Sequence, residues 1–163
     1  MRNGVLVMAA GLAVSCARAA TPLAWDAAAD RDSLRTWVSS VEAAFDRFEG
    51  CGGGDAARAL YAADTVVMTT DSATMAIPGE ALTALFRSVA CTRRESAFRL
   101  DSVIVRPLAP GIGVATATYL ETTTDTLNAS SRLRGSVSWV VRQTDQGWKA
   151  AAAAVTEHRS PLP

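Results

Sequence analysis

The chain has 163 residues, 16 basic and 16 acidic side chains, and a formal net charge of zero. That length fits one domain preceded by an export signal. The charge balance argues against a nucleic-acid partner, which would want a basic patch, and against a disordered acidic tail.

At the N-terminus Arg2 supplies a positive charge, and residues 5–14 form an apolar run too short to cross a bilayer. Small residues follow, and Ala17-Arg18-Ala19 fits a leader-peptidase site. Residues 1–20 therefore read as a signal peptide and 21–163 as the mature domain, exported to the periplasm or secreted. A second reading stands beside it. Leu12-Ala13-Val14-Ser15-Cys16 is similar to a lipoprotein signal, with Ala13 where leucine is usual. In that case Cys16 would carry lipid and tie the protein to the envelope, its one route to a membrane. The roughly 140 remaining residues can bury about two-thirds of their unfolded surface, so an ordinary apolar core suffices.

Residues 20–29 read as a tether, after which Asp30 or Asp32 caps a helix. Leu34, Val38, Val41, Phe45 and Phe48 recur at helical spacing, widened by Trp37 and Ala44. The glycine-rich run 50–54 is expected to stop that helix. Asp55 then caps a short second helix that buries Leu60 and Tyr61. Residues 65–70 are β-branched and predict a strand. Residues 71–76 form a turn or ragged hairpin. Pro78 and Gly79 open a third helix with Leu82, Leu85, Phe86 and Val89 on one face.

Four extended segments follow, at 97–107, 114–126, 133–142 and 148–156. The turns between them fall at Pro110-Gly111, Asn128-Ala129-Ser130 and Asp145-Gln146-Gly147. Connections this short imply an antiparallel meander, and the order predicts an α+β fold. Alanines 150–154 favour helix by propensity. They are read as strand, because a helix there would leave the preceding strand unpaired.

Once a leader is removed, Cys51 and Cys91 can pair in an oxidising compartment. A bridge closing a loop of about 40 residues is worth roughly 3–4 kcal/mol. Two isolated thiols are the alternative.

Three segments carry a resemblance: Tyr61-Ala62-Ala63-Asp64-Thr65-Val66, Ile77-Pro78-Gly79-Glu80-Ala81-Leu82, and Trp139-Val140-Val141-Arg142 with Gly147-Trp148-Lys149. Their order and spacing over residues 34–159 resemble the nuclear transport factor 2-like superfamily, and in particular its SnoaL-like branch. The resemblance implies a cone-shaped, curved antiparallel sheet packed against a long N-terminal helix and two shorter ones. A cavity lies between sheet and long helix, and members often dimerise through the outer sheet face. It also implies a varied functional range: isomerases, cyclases, dehydratases and epoxide hydrolases, alongside proteins that only bind.

Proton-moving members need a carboxylate or imidazole raised in pKa by burial in the cone. The ketosteroid-isomerase-like base position falls near Thr69, which cannot serve as that base. The SnoaL-like imidazole position falls at Ala154. His158, the lone histidine, is placed in a solvated tail beyond the last strand.

The remaining acid/base candidates are Asp64, Asp101 and Glu121. Asp64 also suits a structural turn. Asp101 would share a face with Val103 and Val105, and Glu121 with Ala115, Ala117 and Tyr119. Periodicity alone does not separate the inner face from the outer. Phe45, Met68, Tyr119 and Trp139 are expected to line a pocket. No spacing suits a metal site, and no phosphate- or dinucleotide-binding motif is present, so no cofactor is expected. The resulting expectation is an exported homodimer that binds a small hydrophobic ligand. The alternative is an isomerase-, cyclase- or dehydratase-like enzyme.

Overall fold

Asp26 begins the first helix in the computed structural model, which describes residues 25–161. The predicted leader, its predicted cleavage site and Cys16 lie outside the described residues. Helix α1 spans Ala27–Phe45, and the Asp26 carboxylate accepts from the amides of Ala28 and Ala29. Alanines 27–29 are therefore helical rather than tether. Neither Asp30 nor Asp32 caps the helix: Asp30 accepts the Trp25 indole N–H and Asp32 pairs with Arg35. Leu34, Trp37, Val38 and Val41 form the buried stripe, each burial worth about 2 kcal/mol.

The glycine run does not end this helix. α1 stops at Phe45, Phe48 lies beyond it, and α2 (Gly50–Arg58) contains every glycine of the run. Asp55 pairs with Arg87 instead of capping. Close approach accounts for two of these glycines. A Cβ at Gly54 would lie 2.6 Å from the backbone of Phe86, and one at Gly53 2.6 Å from the Arg47 carbonyl oxygen. Only bare backbone fits between these segments. Cys51 and Cys91 are joined by a disulfide, which links α2 to α3 (Gly79–Cys91). On α3, Leu82, Phe86 and Ala90 are buried, while Leu85 turns outward.

Tyr61 is not helical: it follows α2 and bridges in parallel to Ala150. β1 (Thr65–Thr69) turns back into β2 (Thr74–Pro78), so the segment read as a loose hairpin contains a strand. β3 (Arg93–Ala109), β4 (Ile112–Asp125), β5 (Ser130–Thr144) and β6 (Gly147–Pro161) follow as an antiparallel meander. β1 then pairs with β6 in parallel, which gives a six-stranded mixed sheet in the order β2-β1-β6-β5-β4-β3. The alanine run is strand, paired on both sides by β1 and β5. His158 lies within β6, opposite Arg134, and is exposed.

Two irregularities reset the faces of the sheet. In β3, one extra residue between Asp101 and Ile104 inverts the alternation, with Ser102 at a φ of 50°. Asp101 therefore does not share a face with Val105. It is exposed beside Arg99, while Val105 packs against the core. In β6, a second bulge between the partners of Val140 and Val141 turns Ala153 inward and leaves Ala154 exposed.

β3 is an edge strand, and α1 with the segment after it covers that edge. The amides of Ser96, Phe98 and Leu100 donate to the carboxylates of Glu49, Asp46 and Glu42, at 2.7, 3.1 and 3.2 Å. Every second N–H along this stretch is thus satisfied by a side chain.

Candidate functional site

The concave face of the sheet, the end of α1, α3 and the segments flanking α2 enclose a cavity of about 160 Å³. Its walls are aromatic because each element contributes a ring at its inward positions. α1 supplies Phe45, α3 Phe86, β3 Phe98 and β5 Trp139, while Phe48 and Tyr61 come from either side of α2. Phe45 contacts Phe48, Phe86 and Phe98 at centroid distances of 5.2, 6.1 and 5.3 Å. Phe98 stacks on Tyr119 at 5.4 Å. Offset and edge-on geometries of this kind add to simple burial. Met68 of β1 and Val137 and Val155 complete the apolar lining.

The polar groups are few. Glu121 on β4, 5% exposed, is the buried acidic residue of the core, and it forms an ion pair with Arg93 at the start of β3. The Arg93 guanidinium also lies 4.9 Å from the centroid of the Phe48 ring, a cation–π contact. The second pair is Tyr119 with Glu157, whose carboxylate accepts the phenol proton at 3.2 Å. These residues belong to β4 and β6, with β5 between them. Tyr119 registers with Gly135, and Gly135 with Glu157. A Cβ at Gly135 would lie 2.8 Å from the Tyr119 hydroxyl. The missing side chain on β5 is what lets the phenol reach across a whole strand. Asp71, in the β1–β2 turn and outside the cavity lining, accepts the Glu157 amide at 3.3 Å and adds a third carboxylate near Tyr119.

Burial, reinforced by the Glu157 charge, pushes the Tyr119 phenol far above its ordinary range. It stays protonated and donates. Tyr61 is also pushed up by burial, partly offset by the Trp139 indole N–H that donates to its oxygen at 3.4 Å.

Of the three carboxylates read from the sequence as acid/base candidates, the structure brings only Glu121 to the cavity. Asp64 is exposed and held by Arg142 at 2.8 and 2.9 Å, which keeps its carboxyl below the usual range. Asp101 is exposed on the outer face. Phe45, Met68, Tyr119 and Trp139 all line the cavity. Thr69 spends its hydroxyl on Thr74. Glu157 and Arg93 were missed. Period-two counting inward from Val155 reaches Glu157, but only once β6 is known to extend past residue 156. Arg93 lies before the predicted start of its strand. Among the described residues no group of three or more His, Cys, Asp or Glu is placed to hold a metal.

No family model matches the chain, and no curated protein matches it. Solved structures do. A protein of Novosphingobium aromaticivorans described as a candidate aromatic ring hydroxylase superposes with a TM-score of 0.71 at 16% identity, over 85% of this chain and 96% of that one. Hexachlorocyclohexane dehydrochlorinase LinA-type3 of Novosphingobium barchaimii gives 0.65 at 12% identity, over 83% and 91%. A ketosteroid isomerase-like protein of Erwinia carotovora atroseptica gives 0.62 at 17%, over 81% and 98%. At such identities the likeness establishes the fold alone.

Proposed function

We propose that this chain, whose fold is nuclear transport factor 2-like, is an exported binding protein for a small, mostly apolar molecule held in the aromatic cavity. The observation that carries this reading is the cavity itself, about 160 Å³ and walled by rings. An apolar cavity of about 150 Å³ accommodates benzene, so the ligand is of single-ring size rather than a fused polycycle. The disulfide is consistent with an oxidising, extracytoplasmic compartment, and release to the periplasm or medium fits the leader. Lipid anchoring through Cys16 is the alternative address. Native mass spectrometry of the protein recovered from its own envelope tests both points. A retained monocyclic molecule on a chain beginning near residue 20 supports the proposal. A ligand-free chain that also fails to take up benzene or toluene in solution refutes it.

A second reading is favoured by the Tyr119–Glu157 pair. An exposed carboxylate beside a protonated phenol can take and return a proton, as a dehydratase- or isomerase-like enzyme requires. Here E157Q abolishes turnover of a substrate while the fold persists; turnover that survives E157Q removes the idea.

Homodimerisation is proposed through the outer sheet face, where Ile104 and Val140 are exposed. Light scattering that finds a monomer at micromolar concentration rejects it.

A further inference from the structure

We infer that the ligand of this cavity carries a single positive charge: a compact amine attached to an aromatic or aliphatic ring. The inference rests on the binding reading above and sharpens it from size to charge.

Among the described residues three charged side chains line the cavity, Arg93, Glu121 and Glu157, which together carry one net negative charge. The Arg93 guanidinium is engaged by Glu121 and by the Phe48 ring, so it is not an anchor for an incoming anion. Among the described side chains Glu157 receives the neutral Tyr119 hydroxyl alone, and Asp71 stands beside it on the Glu157 amide. Among the described side chains, neither Glu157 nor Asp71 is in an ion pair. Both charges are felt at Tyr119, where each favours the protonated phenol.

The walls point the same way. Phe98 and Tyr119 are stacked rings beside the carboxylate end, and ring faces attract cations. A carboxylate ligand would meet Glu157 in the cavity wall, with Asp71 behind it, and suffer like-charge repulsion. A neutral alcohol would satisfy Glu157 by one hydrogen bond but gain nothing from the net charge. An ammonium gains from both.

The test is calorimetric titration of the mature chain with benzylamine, benzyl alcohol and benzoate at neutral pH. Benzylamine is expected to bind about tenfold tighter than benzyl alcohol, the order expected of one cation–π contact plus a partly exposed ion pair. Benzoate is expected to bind weakest. In E157Q the ratio of amine to alcohol affinity is expected to fall about threefold, losing the ion-pair share and keeping the cation–π share. Raising the ionic strength on the unaltered protein erodes the same ratio, which keeps the test open if E157Q does not fold. Benzyl alcohol or benzoate binding as tightly as benzylamine overturns the inference while leaving the cavity reading intact. Failure of all three to bind overturns both.

Discussion

Replacing Cys51 and Cys91 by serine cuts the covalent link between α2 and α3. The magnitude follows from two features of the structure. The bridge joins residues 40 apart, and closing a loop of that length removes about 4 kcal/mol of chain entropy from the unfolded state. α2 has little stability of its own to offset the loss. It is nine residues long with glycine at 50, 52, 53 and 54. Each of the three interior glycines costs about 1 kcal/mol relative to alanine, and helices this short are marginal alone. Its packing on α3 is backbone against backbone at Gly54 and Phe86, a contact that requires both helices to be in place. The double serine variant is therefore expected to lose about 4 kcal/mol in urea denaturation and roughly 10–16 °C in Tm. Amide exchange should accelerate first in α2. A variant within about 1 kcal/mol of the parent, with unchanged denaturant slope, would show that packing alone holds α2 and that the chain-entropy argument fails here.

The glycines themselves separate by environment. Gly52 has open space around it, so G52A should stabilise by about 1 kcal/mol, whereas G54A should destabilise because its Cβ would strike the Phe86 backbone; thermal melts of the two give the signs. Arg93 and Glu121 are 16% and 7% exposed in their side chains. R93M should cost about 3 kcal/mol by stranding a buried carboxylate, and R93M/E121L should recover much of it; purely additive losses in the double-mutant cycle would deny the coupling. Both tyrosines of the chain have pKa values raised by folding. Below about pH 10 the folded and unfolded forms alike keep their phenolic protons, and stability does not depend on them. Above it the unfolded chain loses protons the native state retains, so stability falls as pH rises, and Y61F/Y119F should flatten that fall in urea midpoints taken between about pH 9 and 11. G135A should break the Tyr119–Glu157 contact, because its Cβ would strike the Thr156 carbonyl oxygen as well as the phenol, seen as a Tyr119 titration moved back towards its ordinary range.

The sequence was most legible where one period ran unbroken. Leu34, Val38 and Val41 gave α1 its inner face, and the turn signals near 110, 128 and 146 gave the meander. Legibility failed where tertiary contact overrode local preference. Glycines 52–54 read as a stop signal because helix propensity is local, yet they lie within α2, where Gly54 meets the α3 backbone at Phe86, Gly53 meets the Arg47 carbonyl and Gly52 has open space. Asp101 does not share the face of Val105, and Ala154 is exposed although the resemblance matches it to a pocket imidazole position, for one shared reason: a bulge inserts one residue and inverts every later position, and nothing in a period-two count announces it. The cavity's apolar lining was largely legible from Phe45, Met68, Tyr119 and Trp139. Its polar end was not. Glu157 belongs to a strand that outlasts its apolar pattern, and the Tyr119–Glu157 contact depends on Gly135, a residue whose contribution is an absent side chain.

The three carboxylates along β3 bear on how this protein fares outside the folded state. An edge strand with free amides is a template on which other chains can grow a sheet. Glu42, Asp46 and Glu49 occupy those amides with groups that also repel an incoming acidic or apolar strand. Substitutions that loosen the C-terminal half of α1 would therefore do more than cost stability. They would bare a row of donors on a long β-strand, and the damage would register as aggregation during refolding.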